Sequence, residues 1–348
     1  QGPSVTDKPV LDENGKQVMV PGTLKGTKAI GWFIDEYGIA QVSMNITDIA
    51  TTPLHVAFDE VCRAAAARGV RVTGTEIVGL VPRRTLIDAG KYFLRKQERS
   101  VGISDDEIIR IAVKSMGLDE LKPFVTAEKV IEDMVAPQGG NRLIDMTCKG
   151  FALETASESP APGGGSISAY MGALAAALGT MVANLSSHKP GWDERWEEFS
   201  NRAEEGQGYL KTLLALVDED TAAFNRIMDA FKLPKGTDEE KAARSAAIQD
   251  ATLYATEVPL RTMKAAFEVF PLVKAMAETG NPNSVSDAGV GALAARSAVL
   301  GAYLNVKINA AGLKDRQKAD AILAEAADIA AKAEAAEKET LAIVESKI

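Results

Sequence analysis

Residues 164–187 read GGSISAYMGALAAALGTMVANLSS, and this stretch decides the fold. It carries no charged residue, and Gly172, Ala176 and Gly179 are spaced by four and three residues, which places them on one face of a helix. Side chains this small let a second helix pack closely against that face. The stretch therefore predicts a buried helix. Its most apolar part, 171–185, is about 15 residues long, short of the roughly 18 that a membrane-spanning helix needs.

Helical patterns fill the rest of the second half of the chain. Alanine, the strongest helix former, occurs 12 times in residues 1–150 and 43 times in 151–348. Proline and glycine breaks divide the predicted helices into 145–157, 164–187, 192–231, 237–279, 287–312 and 315–346. Pro259 is expected to kink or split the fourth of these, because it removes a hydrogen bond and clashes with the preceding turn. Long helices with short connections predict an all-α up-and-down bundle with a broad self-association surface.

The first half of the chain has mixed patterns. Alternation of apolar and polar residues over 40–46 predicts a hairpin of strands 28–34 and 40–46, turned at 35–38. The segments that follow are predicted as helix 53–68, strand 70–78, helix 82–97 and helix 108–116. The fold class is thus α+β: a small ββαβα, ferredoxin-like α/β subdomain followed by an all-α up-and-down helical bundle. A sheet of so few strands is only marginally stable without further strands or a helix packed against it.

Turn-forming residues divide the chain into four parts. Residues 1–26 are polar, contain several Pro and Gly, and predict a flexible leading segment. The α/β subdomain covers 27–136, and a linker at 137–144 contains the sequence PQGGN. The helical domain follows at 145–348.

Composition excludes several classes of protein. The 348 residues include 39 Lys+Arg and 48 Asp+Glu, a net charge of −9, which argues against a general nucleic-acid binder. With 46% hydrophobic and 25% charged residues the chain is an ordinary globular protein. Cys62 and Cys148 are the only cysteines, so we expect no disulfide framework, no structural zinc site and a cytoplasmic location. His55 and His188 are interpreted as structural histidines.

One carboxylate lies on an apolar stripe of the third helix of the bundle. Spacings of four and three residues place it on one face with five apolar residues; the six are Leu213, Val217, Asp220, Phe224, Ile227 and Phe231. Burial would raise the pKa of Asp220 and suit it to donate a proton near neutral pH. Two other interpretations stay open: an ion pair with a buried Arg or Lys, or a solvated edge of the stripe.

Three further motifs carry polar groups with more than one interpretation. Gly163, Gly164, Gly165 and Ser166 open a helix, where free N–H groups either bind an anion or serve a tight turn with close packing. Ser286 and Asp287 either cap the start of a helix or line a site. Asn305 and Asn309, four residues apart on an apolar helix, either bridge helices or bind a polar edge of a ligand.

A basic rim follows the helix of Asp220. It comprises Lys232, Lys235, Lys241 and Arg244. The rim either attracts an anionic substrate or is ordinary solvated surface.

These motifs, in this order, resemble the formimidoyltransferase-cyclodeaminase family. Residues 151–348 are similar to its whole cyclodeaminase domain, through SPAPGGGS at 159–166, LVDED at 216–220, LPK at 233–235, GN at 280–281, SD at 286–287 and GAYLNVKIN at 301–309. Residues 27–135 are similar only to the C-terminal half of the formimidoyltransferase domain, through IGW at 30–32, AQVSMN at 40–45 and GLVP at 79–82.

The resemblance implies a folate enzyme of histidine degradation. In the family, the cyclodeaminase converts 5-formiminotetrahydrofolate to 5,10-methenyltetrahydrofolate and ammonia, and the aspartate that matches Asp220 donates the proton. The residues Gly163, Gly164, Gly165, Ser166, Ser286, Asp287, Asn305 and Asn309 are expected to shape its pocket. Lys235 is expected to bind the glutamate carboxylates of the substrate. The transferase's proton-handling histidine matches neither His55 nor His188, so we expect no formimino transfer by this chain alone.

The resemblance also implies partners. The folate is a substrate, expected to be polyglutamylated, and no metal or redox cofactor is needed. Family members form homo-oligomers built on cyclodeaminase dimers, so we expect self-association through the helical domain and neither nucleic-acid nor membrane binding. Two alternatives stay open: a non-catalytic folate-binding or oligomerisation module, and a methenyltetrahydrofolate cyclohydrolase.

Overall fold

A computed structural model of the protein describes residues 10–18, 22–135 and 142–348. The core of the predicted linker, 137–141, and the first nine residues of the predicted leading segment lie outside these ranges. The chain divides into two compact units. The first comprises residues 1–96 and 105–136, and the second comprises 97–104 and 137–348.

The described residues of the first unit form a two-stranded sheet and five helices. Strands β1 (Thr27–Ile34) and β2 (Ile39–Ile46) pair antiparallel in the predicted hairpin, with Ile34 opposite Ile39. The helices are α1 (Leu54–Ala66), α2 (Arg83–Lys96), α3 (Asp105–Met116), α4 (Thr126–Lys129) and α5 (Ile131–Val135). The core of the unit lies between α2 and α3, where Leu86, Ala89 and Met116 are fully buried.

The predicted strand at 70–78 is wrong. The segment has no regular secondary structure and pairs with neither β1 nor β2. It lies instead along the turn after α3: the Thr75 N–H donates to the Gly117 carbonyl oxygen at 3.1 Å, and a Cβ at Gly74 would lie 2.8 Å from Glu120 Cβ. Apolar residues in a segment indicate only that part of it is buried, and packing against a helix can bury them as well as pairing in a sheet can. The α+β class holds, whereas the ferredoxin-like order is not confirmed.

The second unit is the helical bundle. Its helices are α6 (Cys148–Thr155), α7 (Gly164–Ser187), α8 (Trp196–Lys232), α9 (Asp238–Phe267), α10 (Phe270–Thr279), α11 (Val285–Ala310) and α12 (Arg316–Glu345). Helices α7, α8, α9 and α11 form a four-helix core, in which α7 and α9 each pack against both α8 and α11. Helices α10 and α12 flank this core.

Helix α7 has the predicted bounds and is the central helix of the unit. A Cβ added to Gly172 would lie 3.0 Å from Leu213 Cδ2, and one added to Gly179 would lie 2.9 Å from Leu272 Cδ2. The small residues therefore permit the close packing that the sequence predicts. Helix α7 and residues 282–310 are each long and apolar enough to cross a membrane by composition, which corrects the expectation from the sequence. Both belong to the core, where 61% and 44% of their most apolar windows are buried.

The fourth predicted helix is split, but not at Pro259. Helix α9 continues through Pro259, and the chain breaks at residues 268–269, just before Pro271 in the first turn of α10. A proline in a first turn costs no hydrogen bond, because the N–H there has no partner within the helix. Pro259 does leave the Ala255 carbonyl without its helical donor, and the Asn309 side-chain Nδ2 donates to that oxygen at 2.6 Å.

Residues 97–104 belong to the second unit although they are far from it in sequence. The Val101 N–H donates to Ser200 Oγ at 3.0 Å, and Asn184 Nδ2 donates to the Gly102 carbonyl at 2.8 Å. Gly102 lies so close to α8 that an added Cβ would be 2.1 Å from Ala203 Cβ. The sequence analysis placed residues 97–104 within the α/β subdomain, whereas the structure assigns them to the second unit.

Candidate active site

The Asp220 carboxylate lies at the N-terminus of α7. Helix α8 presents it to the first turn of α7, where the Ser166 N–H donates to Asp220 Oδ2 at 2.9 Å. Ser166 is the third residue of α7, a position whose N–H has no partner within its own helix. Asp220 therefore caps a neighbouring helix. The anion site predicted at residues 163–166 is filled by a carboxylate of the chain itself.

The Ser166 hydroxyl fits either protonation state of this carboxyl group. Ser166 Oγ lies 3.0 Å from the Val217 carbonyl oxygen and 3.1 Å from Asp220 Oδ2. When the hydroxyl donates to Val217, its lone pairs can accept a proton from a neutral Asp220. When Asp220 is ionised, the same hydroxyl can donate to Oδ2. When Asp220 loses its proton, the Ser166 hydroxyl thus needs only to turn its hydrogen from the Val217 carbonyl to Oδ2.

Burial dominates the electrostatics of Asp220. Desolvation raises the pKa of Asp220 above its ordinary value, while the Ser166 side-chain and backbone hydrogen bonds oppose the shift. The positive end of the α7 dipole also favours the anion. The net direction is upward, as the sequence predicts. Within the described ranges no ion pair involves Asp220, so the alternative of a buried salt bridge is not what these residues form.

Glycine is required beside the carboxylate. A Cβ on Gly165 would lie 2.0 Å from Asp220 Oδ1, so no side chain fits there. Gly164, one residue earlier, is exposed, and its Cβ position lies 3.2 Å from the Asn305 Nδ2 of α11. The first turn of α7 thus brings together Asp220, Asn305 and residues 163–166, as predicted.

The bundle opens at this end because its helices end at different levels. Helix α7 begins at Gly164, beside Asp220 and Asn305. Helix α8 continues twelve residues beyond Asp220, a length of about 18 Å, and α11 continues five residues beyond Asn305. The faces of α8 and α11 that would meet a longer α7 are therefore uncovered by it. Asp220 is half-buried at the level where α7 begins.

Asn309 does not point to a ligand. Its amide is bound to the Ala255 carbonyl, so of the two interpretations for this residue the bridge between helices is correct. Asn305 Nδ2 donates to the Gly301 carbonyl of its own helix at 3.0 Å. Asn305 is half-buried and remains beside the first turn of α7.

Ser286 and Asp287 do not lie at this site within one chain. They are in the first turn of α11, whereas Asn305 is near its last turn. The nineteen residues from Ser286 to Asn305 span about 28 Å along the helix. A role for this pair at the Asp220 of the same chain is therefore corrected by the structure. The predicted helix at 287–312 already implied this separation, because residues at its two ends cannot lie together within one chain.

The predicted basic rim is largely neutralised. Lys232 pairs with Asp229 at 2.8 Å, and Lys241 pairs with Asp238 at 2.9 Å. The Arg244 guanidinium packs over the ring of Phe231 and donates to its carbonyl oxygen at 3.1 Å. Lys235 is exposed in the turn between α8 and α9.

The apolar stripe of α8 changes character at Asp220. Leu213 and Val217 are fully buried, as expected of core residues. Beyond Asp220, Phe224 is 37% exposed and Phe231 is 50% exposed, so the prediction that the stripe faces a core along its whole length is wrong. The reason is the late start of α7, which covers the first half of the stripe only. Pattern analysis treated Phe224 as a core residue and did not propose it for the site.

Neither histidine belongs to the group of residues around Asp220. His55 stacks on Tyr92 in the first unit with ring centroids 4.5 Å apart, and burial lowers its pKa. His188 ends α7, at the opposite end from Gly164, with its Nδ1 3.3 Å from the Arg99 guanidinium. Among the described residues no group of three His, Cys, Asp or Glu side chains is placed to hold a metal ion.

Fold and site together define a class of protein: a helical bundle with a desolvated carboxylic acid held at a helix N-terminus. Comparison with known proteins makes this class specific. A family model described as formiminotransferase-cyclodeaminase matches residues 147–328, and one described as formiminotransferase domain matches residues 8–136. The chain belongs to the formiminotransferase-cyclodeaminase family.

Individual relatives are similar to different parts of the chain. Formimidoyltransferase-cyclodeaminase of Gallus gallus is 37% identical over 308 residues, which cover 88% of this chain and 57% of the relative. Methenyltetrahydrofolate cyclohydrolase of Methylorubrum extorquens is 41% identical over 209 residues, 60% of this chain and 99% of the relative. A solved structure of formiminotetrahydrofolate cyclodeaminase from Thermotoga maritima superposes with a TM-score of 0.52 at 26% identity, over 58% of this chain and 97% of its own.

Two consequences concern the first unit. The chain spans a little more than half the length of the bifunctional relative from Gallus gallus. The transferase-domain match begins at residue 8, nineteen residues before the predicted start at 27, and takes in most of the predicted leading segment. The prediction that this transferase domain is incomplete is not confirmed by that match.

Proposed function

We propose that the second unit is a formimidoyltetrahydrofolate cyclodeaminase, which converts 5-formiminotetrahydrofolate to 5,10-methenyltetrahydrofolate and ammonia. The observation that carries the proposal is the half-buried Asp220 carboxyl, held by Ser166 at the first turn of α7 and with its pKa raised by desolvation. The family match over the bundle and the likeness to the solved cyclodeaminase support it. As a lyase it would act in histidine degradation.

The chemistry requires one proton at the leaving nitrogen. Folate N10 attacks the formimino carbon carried by N5 and its proton passes to the exocyclic nitrogen, so the resulting tetrahedral carbon holds N5, N10 and an amino group. Its exocyclic amine must leave as ammonia, because an amide anion is a very poor leaving group. A neutral Asp220 donates the proton as the C–N bond breaks, and the lone pairs on N5 and N10 stabilise the methenyl cation. Folate is substrate throughout, and no step calls for a metal or redox cofactor.

The immediate test uses the absorbance of the methenyl product. Purified chain receives 5-formiminotetrahydrofolate directly, so that no transferase step is needed. Appearance of the methenyl absorbance with release of ammonia supports the proposal. Loss of absorbance from added methenyl-folate would instead indicate a cyclohydrolase, and no change with either compound would indicate a binding or oligomerisation module. A separate assay with formiminoglutamate and tetrahydrofolate tests our expectation that this chain alone does not transfer the formimino group.

We further propose that the helical unit self-associates through α7 and α11. Apolar side chains exposed on these two packed helices are Leu174, Met181 and Leu185 on α7 and Val290, Leu293, Leu304 and Ile308 on α11. An apolar face of this extent favours burial against a second copy. A two-fold pairing with antiparallel α11 helices would bring the Ser286 end of one copy toward the Asn305 end of the other. That is the arrangement in which Ser286 and Asp287 take part in a site.

The exposed Lys235 favours an anionic tail on the substrate. Lys235 lies in the turn at the far end of α8, in the direction in which α8 continues beyond Asp220. The glutamate carboxylates of a folate, in particular a polyglutamylated one, are groups that an exposed lysine attracts. Lys235→Ala is therefore expected to raise KM for a polyglutamylated substrate more than for a monoglutamate.

A further inference from the structure

The first helical turn beyond Asp220 carries an exposed aromatic side chain that the reaction chemistry leaves unassigned. Phe224 lies on the same face of α8 as Asp220, and it is 37% exposed although it continues a stripe of fully buried residues. Large apolar side chains at such a position usually pack into the core. Phe224 is uncovered because α7 begins at Gly164 and does not extend along this part of α8.

We propose that Phe224 is a substrate-positioning residue, whose ring packs against the p-aminobenzoyl ring of the folate. The inference rests on the proposed function, and it assigns to a residue of α8 the recognition of an aromatic ring that carries an anionic tail.

Distances along α8 fit this ring. Phe224 is four residues beyond Asp220, a rise of about 6 Å. In the substrate the p-aminobenzoyl ring is bonded directly to N10, one of the two nitrogens between which the new ring closes. When the reacting carbon lies at the Asp220 carboxyl, the benzoyl ring therefore lies about one helical turn away. Phe224 occupies that level.

The direction along α8 fits the rest of the molecule. Beyond the benzoyl ring a folate carries glutamate carboxylates, and beyond Phe224 the helix leads to the turn that contains Lys235. The opposite direction leads under the first turn of α7, where Gly165 and Ser166 already pack against Asp220. A folate with its reacting carbon at Asp220 thus extends its apolar ring and then its charged tail along α8.

Phe231 supplies a matched control. It lies on the same face of α8, is half-exposed and has the same side chain, but it is eleven residues from Asp220, about 16 Å. Its ring is covered on one side by the Arg244 guanidinium, with the charge centre 5.7 Å from the ring centroid. If KM depended only on the amount of exposed apolar surface on α8, substitution of Phe224 and substitution of Phe231 would raise KM alike.

The test compares steady-state kinetics of Phe224→Leu, Phe224→Tyr and Phe231→Leu. Phe224→Leu is expected to raise KM for 5-formiminotetrahydrofolate about tenfold with kcat within about threefold, since stacking on an aromatic ring is lost while apolar volume is kept. Phe224→Tyr keeps an aromatic ring and is expected to have a KM within about twofold of that of the unchanged enzyme. Phe231→Leu is expected to have a KM within the same twofold range. A Phe224→Leu enzyme with unchanged KM, or a Phe231→Leu enzyme with the same rise, overturns the inference.

A binding measurement separates this inference from the function it rests on. Phe224→Trp and Phe231→Trp variants are titrated with 5-formyltetrahydrofolate, a stable analogue that does not release ammonia. Saturable quenching of tryptophan fluorescence that is at least twofold larger for Phe224→Trp than for Phe231→Trp supports the inference. Equal quenching in the two variants overturns it. Absence of turnover by the unchanged enzyme counts against the proposed function, whereas turnover without dependence on Phe224 counts against this inference alone.

Discussion

The side-chain amide of Asn309 donates to the carbonyl oxygen of Ala255 at 2.6 Å and replaces the donor that Pro259 lacks. A proline is thereby accommodated in the interior of a thirty-residue helix, at the contact between two helices of the four-helix core. The same bond removes Asn309 from the set of residues that bind a ligand.

Replacing Asn309 should therefore destabilise the bundle. Asn309→Ala leaves the carbonyl of the buried Ala255 without a partner, which is expected to cost about 1–3 kcal/mol of unfolding free energy, measured by urea denaturation. In a Pro259→Ala background the restored N–H of residue 259 can bond to the same carbonyl. The cost of Asn309→Ala should then shrink by at least half, and an equal cost in both backgrounds contradicts the pairing.

Asp220→Asn should abolish ring closure and leave the fold intact. Loss of a positioned general acid is expected to lower kcat by about 10²- to 10⁴-fold. Asp218→Asn is the control, since Asp218 accepts the Leu143 N–H at 2.7 Å and lies on another face of α8. It should retain turnover. Wild-type activity in Asp220→Asn would refute the assignment of the acid.

The same substitution should change how stability depends on pH. Because the folded-state pKa of Asp220 is raised, its contribution to stability is full below the unfolded-state pKa and is lost as pH rises through the folded-state value. Asp220→Asn should thus be more stable than the unchanged protein at pH 8, and the difference in Tm should narrow toward pH 4. A constant difference across this range counts against a raised pKa.

Ser166→Ala should move the pH–rate profile to higher pH. The Ser166 hydroxyl lowers the pKa of Asp220, so its removal leaves the acid protonated over a wider range. The alkaline limb of kcat/KM is expected to shift upward. Ser168→Ala, which removes a hydroxyl that donates to the Gly164 carbonyl at 2.6 Å, should leave the limb in place. A downward shift in Ser166→Ala would contradict the role given to this hydroxyl.

Gly165→Ala should inactivate the enzyme because the added methyl displaces the Asp220 carboxyl. The added methyl would lie 2.0 Å from Asp220 Oδ1 and must displace the carboxyl. Gly163→Ala introduces the same methyl 3.7 Å from the Pro160 carbonyl oxygen, an ordinary contact, and should retain most activity. Comparable turnover by the two variants would show that the contact at residue 165 can relax.

The extent to which the sequence predicted this molecule depends on how local each feature is. The bounds of α7 and the burial of Asp220 follow from periodicity within one helix, and the structure agrees. The segment at 70–78 was predicted as a strand but pairs with no strand of the described sheet, because strand pairing depends on a partner that the segment's own residues do not specify. The bond from Asn309 to Ala255 depends on how two separate helices are arranged, which no local pattern contains.

The packing of residues 97–104 against α8 has a consequence for engineering. Removal of everything before residue 137 would take Val101 and Gly102 away with the first unit, and would expose the surface around Ala203 and the hydroxyl of Ser200. A single cut therefore cannot release the bundle with all its parts. Recombination between homologues must exchange residues 97–104 and residues 137–348 together, because the two segments pack against each other.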